Sequence, residues 1–96
     1  MGWRVKVKIK NGFLLREIAD VWVVVPLGER VIEFNGLVNL SESGALIWRA
    51  LEKEVKDKLE LVNLIRENYE VDEENAGKDL EEFLQGITEK GFLDYD

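Results

Sequence analysis

Carboxylates are the reactive groups this chain has in excess: Asp72-Glu73-Glu74 and, a few residues on, Asp79, Glu81 and Glu82. Two carboxylates held together, one protonated and one ionised, perform general acid/base work, and several carboxylate oxygens can hold a divalent cation. Adjacent helical positions point apart, however, and no EF-hand spacing surrounds either group. A solvated acidic face is the plainer reading. Histidine and cysteine are both absent, which removes the commonest general base, the commonest metal ligand, every His-based triad and all disulfides. The remaining hydroxyls have no base placed beside them. Catalytic residues, metal ligands and a cofactor site are therefore not expected. Gly28, Gly36 and Gly44 build no phosphate loop, since no Gly-Lys-Ser/Thr follows them. Trp22 and Trp48 lie inside apolar runs and are expected in the core, not as platforms for a ligand.

The net charge of −7 is uneven: residues 1–16 hold five bases (Arg4, Lys6, Lys8, Lys10, Arg16) and no acid, which leaves 8 bases against 20 acids over residues 17–96. So acidic a helical half repels a phosphate backbone, and nucleic acid is not expected as a partner. No apolar run approaches the about 18 residues of a membrane span, and the basic N-terminus lacks the apolar core of a signal peptide. A cytoplasmic protein without a membrane segment is expected.

The elements that must position any site divide at residues 37–51. Leu37, Val38, Asn39 and Leu40 form an apolar run of strand length, and Ser41 follows as a side chain able to accept from the first free helical N–H groups. Leu40 and Ala45 take the staple positions around that cap, and Ile47, Trp48 and Leu51 repeat on one helix face. Gly44 costs its first turn roughly 1 kcal/mol of helix propensity, which a close approach of another backbone can offset.

Ahead of this junction, Trp3, Val5, Val7 and Ile9 alternate with Arg4, Lys6, Lys8 and Lys10, the period of a strand with one wet face. Lysines on such a strand most simply keep it soluble. Asn11-Gly12 predicts a tight hairpin pairing this strand with residues 13–18. Residues 21–25, nearly all β-branched and closed by Pro26, predict a central strand. A turn at Leu27-Gly28-Glu29, a further strand over residues 30–34 and a second Asn-Gly pair, Asn35-Gly36, complete a meander. Past the first helix, residues 52–56 read as a charged connector. Asp57 to Glu60 has the form of a capping box, opening a helix with a stripe of Leu61, Val62, Ile65 and Tyr69. Asp72 caps a third helix with acids in its first turn and a stripe of Ala76, Leu80, Phe83, Leu84 and Ile87. Lys90-Gly91 stops it, and Phe92-Leu93 can fold back onto the last turn. The fold class is α+β, winged-helix-like: an N-terminal antiparallel β-meander followed by a three-helix bundle, in one domain over residues 1–96 with sheet to residue 40 and helices over residues 41–93.

Several spaced stretches resemble the PqqD-like family, named after coenzyme PQQ synthesis protein D: Phe13-Leu14-Leu15-Arg16-Glu17-Ile18, Val23-Val24-Val25-Pro26-Leu27-Gly28, Leu40-Ser41-Glu42-Ser43-Gly44-Ala45-Leu46-Ile47-Trp48, Asp79-Leu80-Glu81-Glu82-Phe83-Leu84 and Lys90-Gly91-Phe92-Leu93. The resemblance covers about residues 13–93. Two departures stand out: Ser41 replaces the Asn common at that position, and residues 30–35 form an extra arm. What the resemblance implies is a non-catalytic recognition element that binds the leader segment of a ribosomally made precursor peptide and presents it to a modifying enzyme, in many pathways a radical S-adenosylmethionine protein. It further implies that the leader adds as a strand to Leu37, Val38, Asn39 and Leu40, with facing residues from 78–87, here Leu80, Phe83, Leu84 and Ile87. An edge strand with unpaired backbone groups suits such an addition on physical grounds too. Two alternatives of other classes are a winged-helix nucleic-acid binder, against which the acidic third helix speaks, and a homodimer in which the exposed strand pairs with its own copy.

Overall fold

The computed structural model describes residues 2–34 and 37–95, with side chains between Lys6 and Asp94. In chain order the elements are β1 (Gly2–Ile9), β2 (Phe13–Ile18), β3 (Val21–Pro26), α1 (Arg30–Glu33), β4 (Val38–Leu40), α2 (Glu42–Leu51), β5 (Val55–Asp57), α3 (Lys58–Asn68), α4 (Glu73–Glu89) and β6 (Leu93–Tyr95). The strands form two antiparallel sheets of three, ordered β5-β1-β6 and β2-β3-β4. The class is α+β, with β3 central in its sheet as its β-branched run predicts, but strand is not confined to residues before 41: β5 lies between α2 and α3 and β6 follows α4, and these two build a second sheet on β1 in place of a single meander.

The alternation of β1 holds where side chains are described: Val7 and Ile9 are buried, Lys6 and Lys8 exposed. Its hairpin with β2 does not form. Both flanks of β1 are taken by β5 and β6, and the Lys10 N–H donates to the Phe92 carbonyl at 2.8 Å. Gly12, at φ +96°, instead turns the chain from one sheet to the other, its carbonyl accepting from the Leu27 N–H at 2.8 Å. The tight hairpin lies one strand later. Ile18 opposes Val21 across a two-residue loop in which Ala19 and Asp20 stand at φ +50° and +66°. The left-handed conformation costs a residue with a Cβ roughly 1–2 kcal/mol, and glycine escapes it. Ala19→Gly is therefore expected to raise the unfolding free energy by about 0.5–1 kcal/mol, read from the midpoint of a urea titration at unchanged slope.

Residues 30–34 are not a strand. Arg30 reaches back to the Asn11 carbonyl (2.9 Å), pairs with Glu33 one turn on (2.8 Å) and lies 5.5 Å from the Phe13 ring centroid, which fixes a single helical turn. Phe34 closes the turn, stacked on Phe92 with centroids 5.1 Å apart. Val31 and Ile32, which suggested a strand, face solvent. Asn35-Gly36 lies outside the described residues. The charged connector also conceals an element: Val55, 4% exposed, opposes Val7 in β5.

The helices start and stop where their signals stand. Ser41 Oγ accepts from the Gly44 N–H (3.1 Å), Asp57 Oδ1 from the Leu59 N–H (2.9 Å) and Asp72 Oδ1 from the Asn75 N–H (2.8 Å). At the end of α4, Gly91 at φ +80° donates to Thr88 and Phe92 to Ile87, each at 3.0 Å, the paired bonds of a Schellman stop. Phe92 is thereby folded under the last turn into the core, beside Trp48, Phe13 and Phe34. Trp48 is fully buried, but Trp22 is not core: it is half-buried, with the Arg49 guanidinium 4.4 Å above its ring. No helix among the described residues is long and apolar enough to cross a membrane.

Candidate functional site

β4 registers against β3 on one side only: Val38 opposes Val24, Asn39 opposes Val23 and Leu40 opposes Trp22. Among the described residues no strand lies on its other side, so one row of N–H and C=O groups is open there. Leu37 and Asn39 are exposed, and Val38 and Leu40 are half-buried against the core.

Two contacts tie α4 to the residues that flank β4. At one end the Phe34 ring lies 4.0 Å from the Cβ position of Gly91, and at the other the Phe83 ring closes on Gly44, where a built Cβ would meet it at 3.0 Å. Gly44 is thus needed for a close approach, although the partner is an aromatic side chain of α4 and not a backbone.

Just past the end of β4 a groove of about 430 Å³ opens between the first turn of α2 and the middle of α4, lined by Ser41, Ser43, Gly44, Ile47, Ile65, Asp79, Glu82 and Phe83. A smaller one of about 300 Å³ continues it toward Tyr69 and Val71, with Ser41, Glu42 and Asp79 on its wall. A larger cavity, about 780 Å³, lies between α3 and α4 around Lys58, Val62, Gly77 and Leu80, and does not reach β4. The described residues bring no three His, Cys, Asp or Glu side chains together as a metal site.

The residues predicted from sequence thus separate by position. Leu37, Val38, Asn39 and Leu40 lie on or beside the open edge, and Phe83 lines the groove. Leu80, Leu84 and Ile87 are buried, at 1%, 6% and 3% exposure, and belong to the core cluster. The face of α4 next to theirs carries Asp79, Phe83 and Gly86, spaced i, i+4, i+7. Asp79 and Gly86 fall within the 78–87 stretch to which the family resemblance points, without being singled out there; Ile65 is expected from sequence only in the stripe of its helix, and nothing local points to Ser43.

A family model for coenzyme PQQ synthesis protein D matches residues 22–93. Among solved structures, the chain is similar to that of TbiB1 in complex with the TbiA(beta) leader peptide, at 28% identity, covering 91% of this chain and 94% of that one, with a TM-score of 0.68. No curated protein matches significantly. The matched segment runs from the central strand through all three long helices to the Schellman stop, and on that evidence the chain belongs to the PqqD family.

Proposed function

We propose that this chain is a non-catalytic peptide-binding module that receives the leader segment of a ribosomally made precursor peptide as an added strand on β4 and presents it, in the cytosol, to a modifying enzyme of the radical S-adenosylmethionine type. The observation that carries this reading is the open edge of β4 beside a partly apolar groove. Backbone groups on such an edge supply affinity, and side-chain pockets next to it supply discrimination. Membership of the PqqD family and the likeness to a chain solved with a leader peptide support it. Within this reading, Leu37, Val38, Asn39 and Leu40 meet the guest, with Phe83 from α4. Leu80, Leu84 and Ile87 hold α4 in place from within the core.

The test is an NMR titration of the labelled protein with candidate precursor peptides drawn from its genomic neighbourhood. Amide signals of residues 37–40 and of Asp79, Phe83 and Gly86 are expected to move. If they stay still while the peptide is in excess, the reading is abandoned. A second copy of the chain is the competing occupant of the same edge, and sedimentation velocity distinguishes it, because self-pairing raises the mass with concentration in the absence of any peptide.

A further inference from the structure

The acids of α4 divide by whether a base answers them. Three of those around the large cavity have a basic partner within the chain: Glu73 with Arg66 (3.9 Å), Glu74 with Lys78 (3.8 Å) and Glu81 with Lys58 (2.9 Å), while Glu82, which borders that cavity as well, has none. Asp72 is spent on its cap, and Glu89 receives Gln85 at 3.4 Å. Asp79 and Glu82, the two that line the groove beyond β4, have neither hydrogen bond nor ion pair among the described residues. Glu42, likewise unpaired, stands on the wall of the adjoining groove with Asp79. No lysine or arginine lines either groove, while Gly44, Ile47 and the Phe83 ring give an apolar floor.

Resting on the reading of β4 as the docking edge, we propose that the groove selects a guest strand carrying a lysine or arginine seated on Asp79, next to an apolar side chain laid on Phe83 and Ile47. The direction of the charge follows from complementarity. A guest acid at this place would face Asp79, Glu42 and Glu82 with no lysine or arginine in the lining of either groove, and like charges brought together at an interface are strongly disfavoured. A guest cation finds one carboxylate at the centre, two more nearby, and the Ser41 and Ser43 hydroxyls as further acceptors. An exposed ion pair contributes little by itself; here the guest covers Asp79 as it binds and withdraws the pair from water. The cation therefore sits at the Ser41 end of β4 and sets the register of the added strand, since a slip of one residue sends every guest side chain to the opposite face.

The experiment is selection of a random fifteen-residue peptide library by mRNA display on the immobilised full chain, in parallel on Asp79→Asn, Asp79→Lys and Glu73→Gln, with circular dichroism to verify each fold. Peptides from the unaltered chain and from Glu73→Gln are expected to carry Lys or Arg at a fixed offset from an apolar residue. Asp79→Asn should lose that preference and weaken a selected peptide about tenfold, between the effect of an exposed ion pair and that of a fully buried one. Asp79→Lys should turn the preference to Asp or Glu. Peptides that shift the amides of residues 37–40 but show no fixed cation, or bind Asp79→Asn unchanged, overturn the seat and leave the docking edge standing. Should no selected peptide shift those amides, the docking reading falls and the seat with it.

Discussion

Replacing Trp48 by alanine is expected to cost about 3–5 kcal/mol, which in a domain of about 5–15 kcal/mol total stability leaves little folded protein under mild destabilisation. Trp48 is fully buried at the point where α2 meets the aromatic cluster. The Phe92 ring stands edge-on to it at 5.2 Å between centroids and Phe13 at 6.3 Å. Phe34 reaches the same cluster by stacking on Phe92. Truncation removes the largest buried side chain and takes ring contacts from Phe13 and Phe92, which belong to opposite ends of the chain. One feature moderates the milder change. The Trp48 indole N–H is buried with no hydrogen-bond acceptor, a desolvation cost of about 1–3 kcal/mol that phenylalanine does not incur. Trp48→Phe should thus lose far less than Trp48→Ala. Urea unfolding followed by far-ultraviolet circular dichroism measures both. Equal losses in the two variants would overturn this account of the site.

The second large effect is on binding. Gly86→Leu is expected to weaken the precursor peptide at least about tenfold, roughly 1.4 kcal/mol, without lowering the thermal midpoint. Glycine inside a helix costs roughly 0.5–1 kcal/mol relative to alanine, and a Cβ built at Gly86 meets no atom within 4 Å. The fold therefore has no internal use for the missing side chain. Gly86 shares its face with Phe83 and Asp79, so a leucine there projects into the space proposed for the guest strand. Gly77 is an apt control: it too has open space around it, but it lines the cavity on the α3 side. Gly77→Leu should leave affinity unchanged. Calorimetric titration of the precursor peptide into both variants decides the matter, and full affinity in Gly86→Leu would exclude this face of α4 from the guest's path.

Whatever depended on neighbours in sequence was legible before any coordinates. Ser41, Asp57 and Asp72 each accept from a backbone N–H in the first turn of the helix they were read to open, and Gly91 with Phe92 closes α4. Those signals act within four or five residues, and no tertiary contact overrides them. The failures share the opposite cause. Asn11-Gly12 is a strong hairpin pair, but β1 had two better partners far along the chain, Val55–Asp57 and Leu93–Tyr95. Ala19-Asp20 lacks the glycine that marks such loops, and its positive φ values follow from β2 and β3 pairing over their full length. Residues 30–34 became a helical turn through Arg30 and its distant acceptor at Asn11. The candidate site was half visible for the same reason. The four residues along β4 sit together in sequence, whereas the stripe of α4 mixes core and groove within one turn, and only the placement of Gly44 against Phe83 separates them.

The partnership of β1 with β6 bears on how the molecule is made. Val7 opposes Tyr95 and Ile9 opposes Leu93, contacts spanning nearly the whole chain, and β5 on the other flank arrives only at residues 55–57. During synthesis on the ribosome the first strand emerges long before either flank exists, its apolar row bare, while β2, β3 and β4 can already pair in succession. Contacts of such high sequence separation must overcome a large loop-closure entropy and slow folding relative to helical bundles of this size. The β2-β3-β4 sheet, with its open edge, can be assembled well before the sheet that buries the other half of the core.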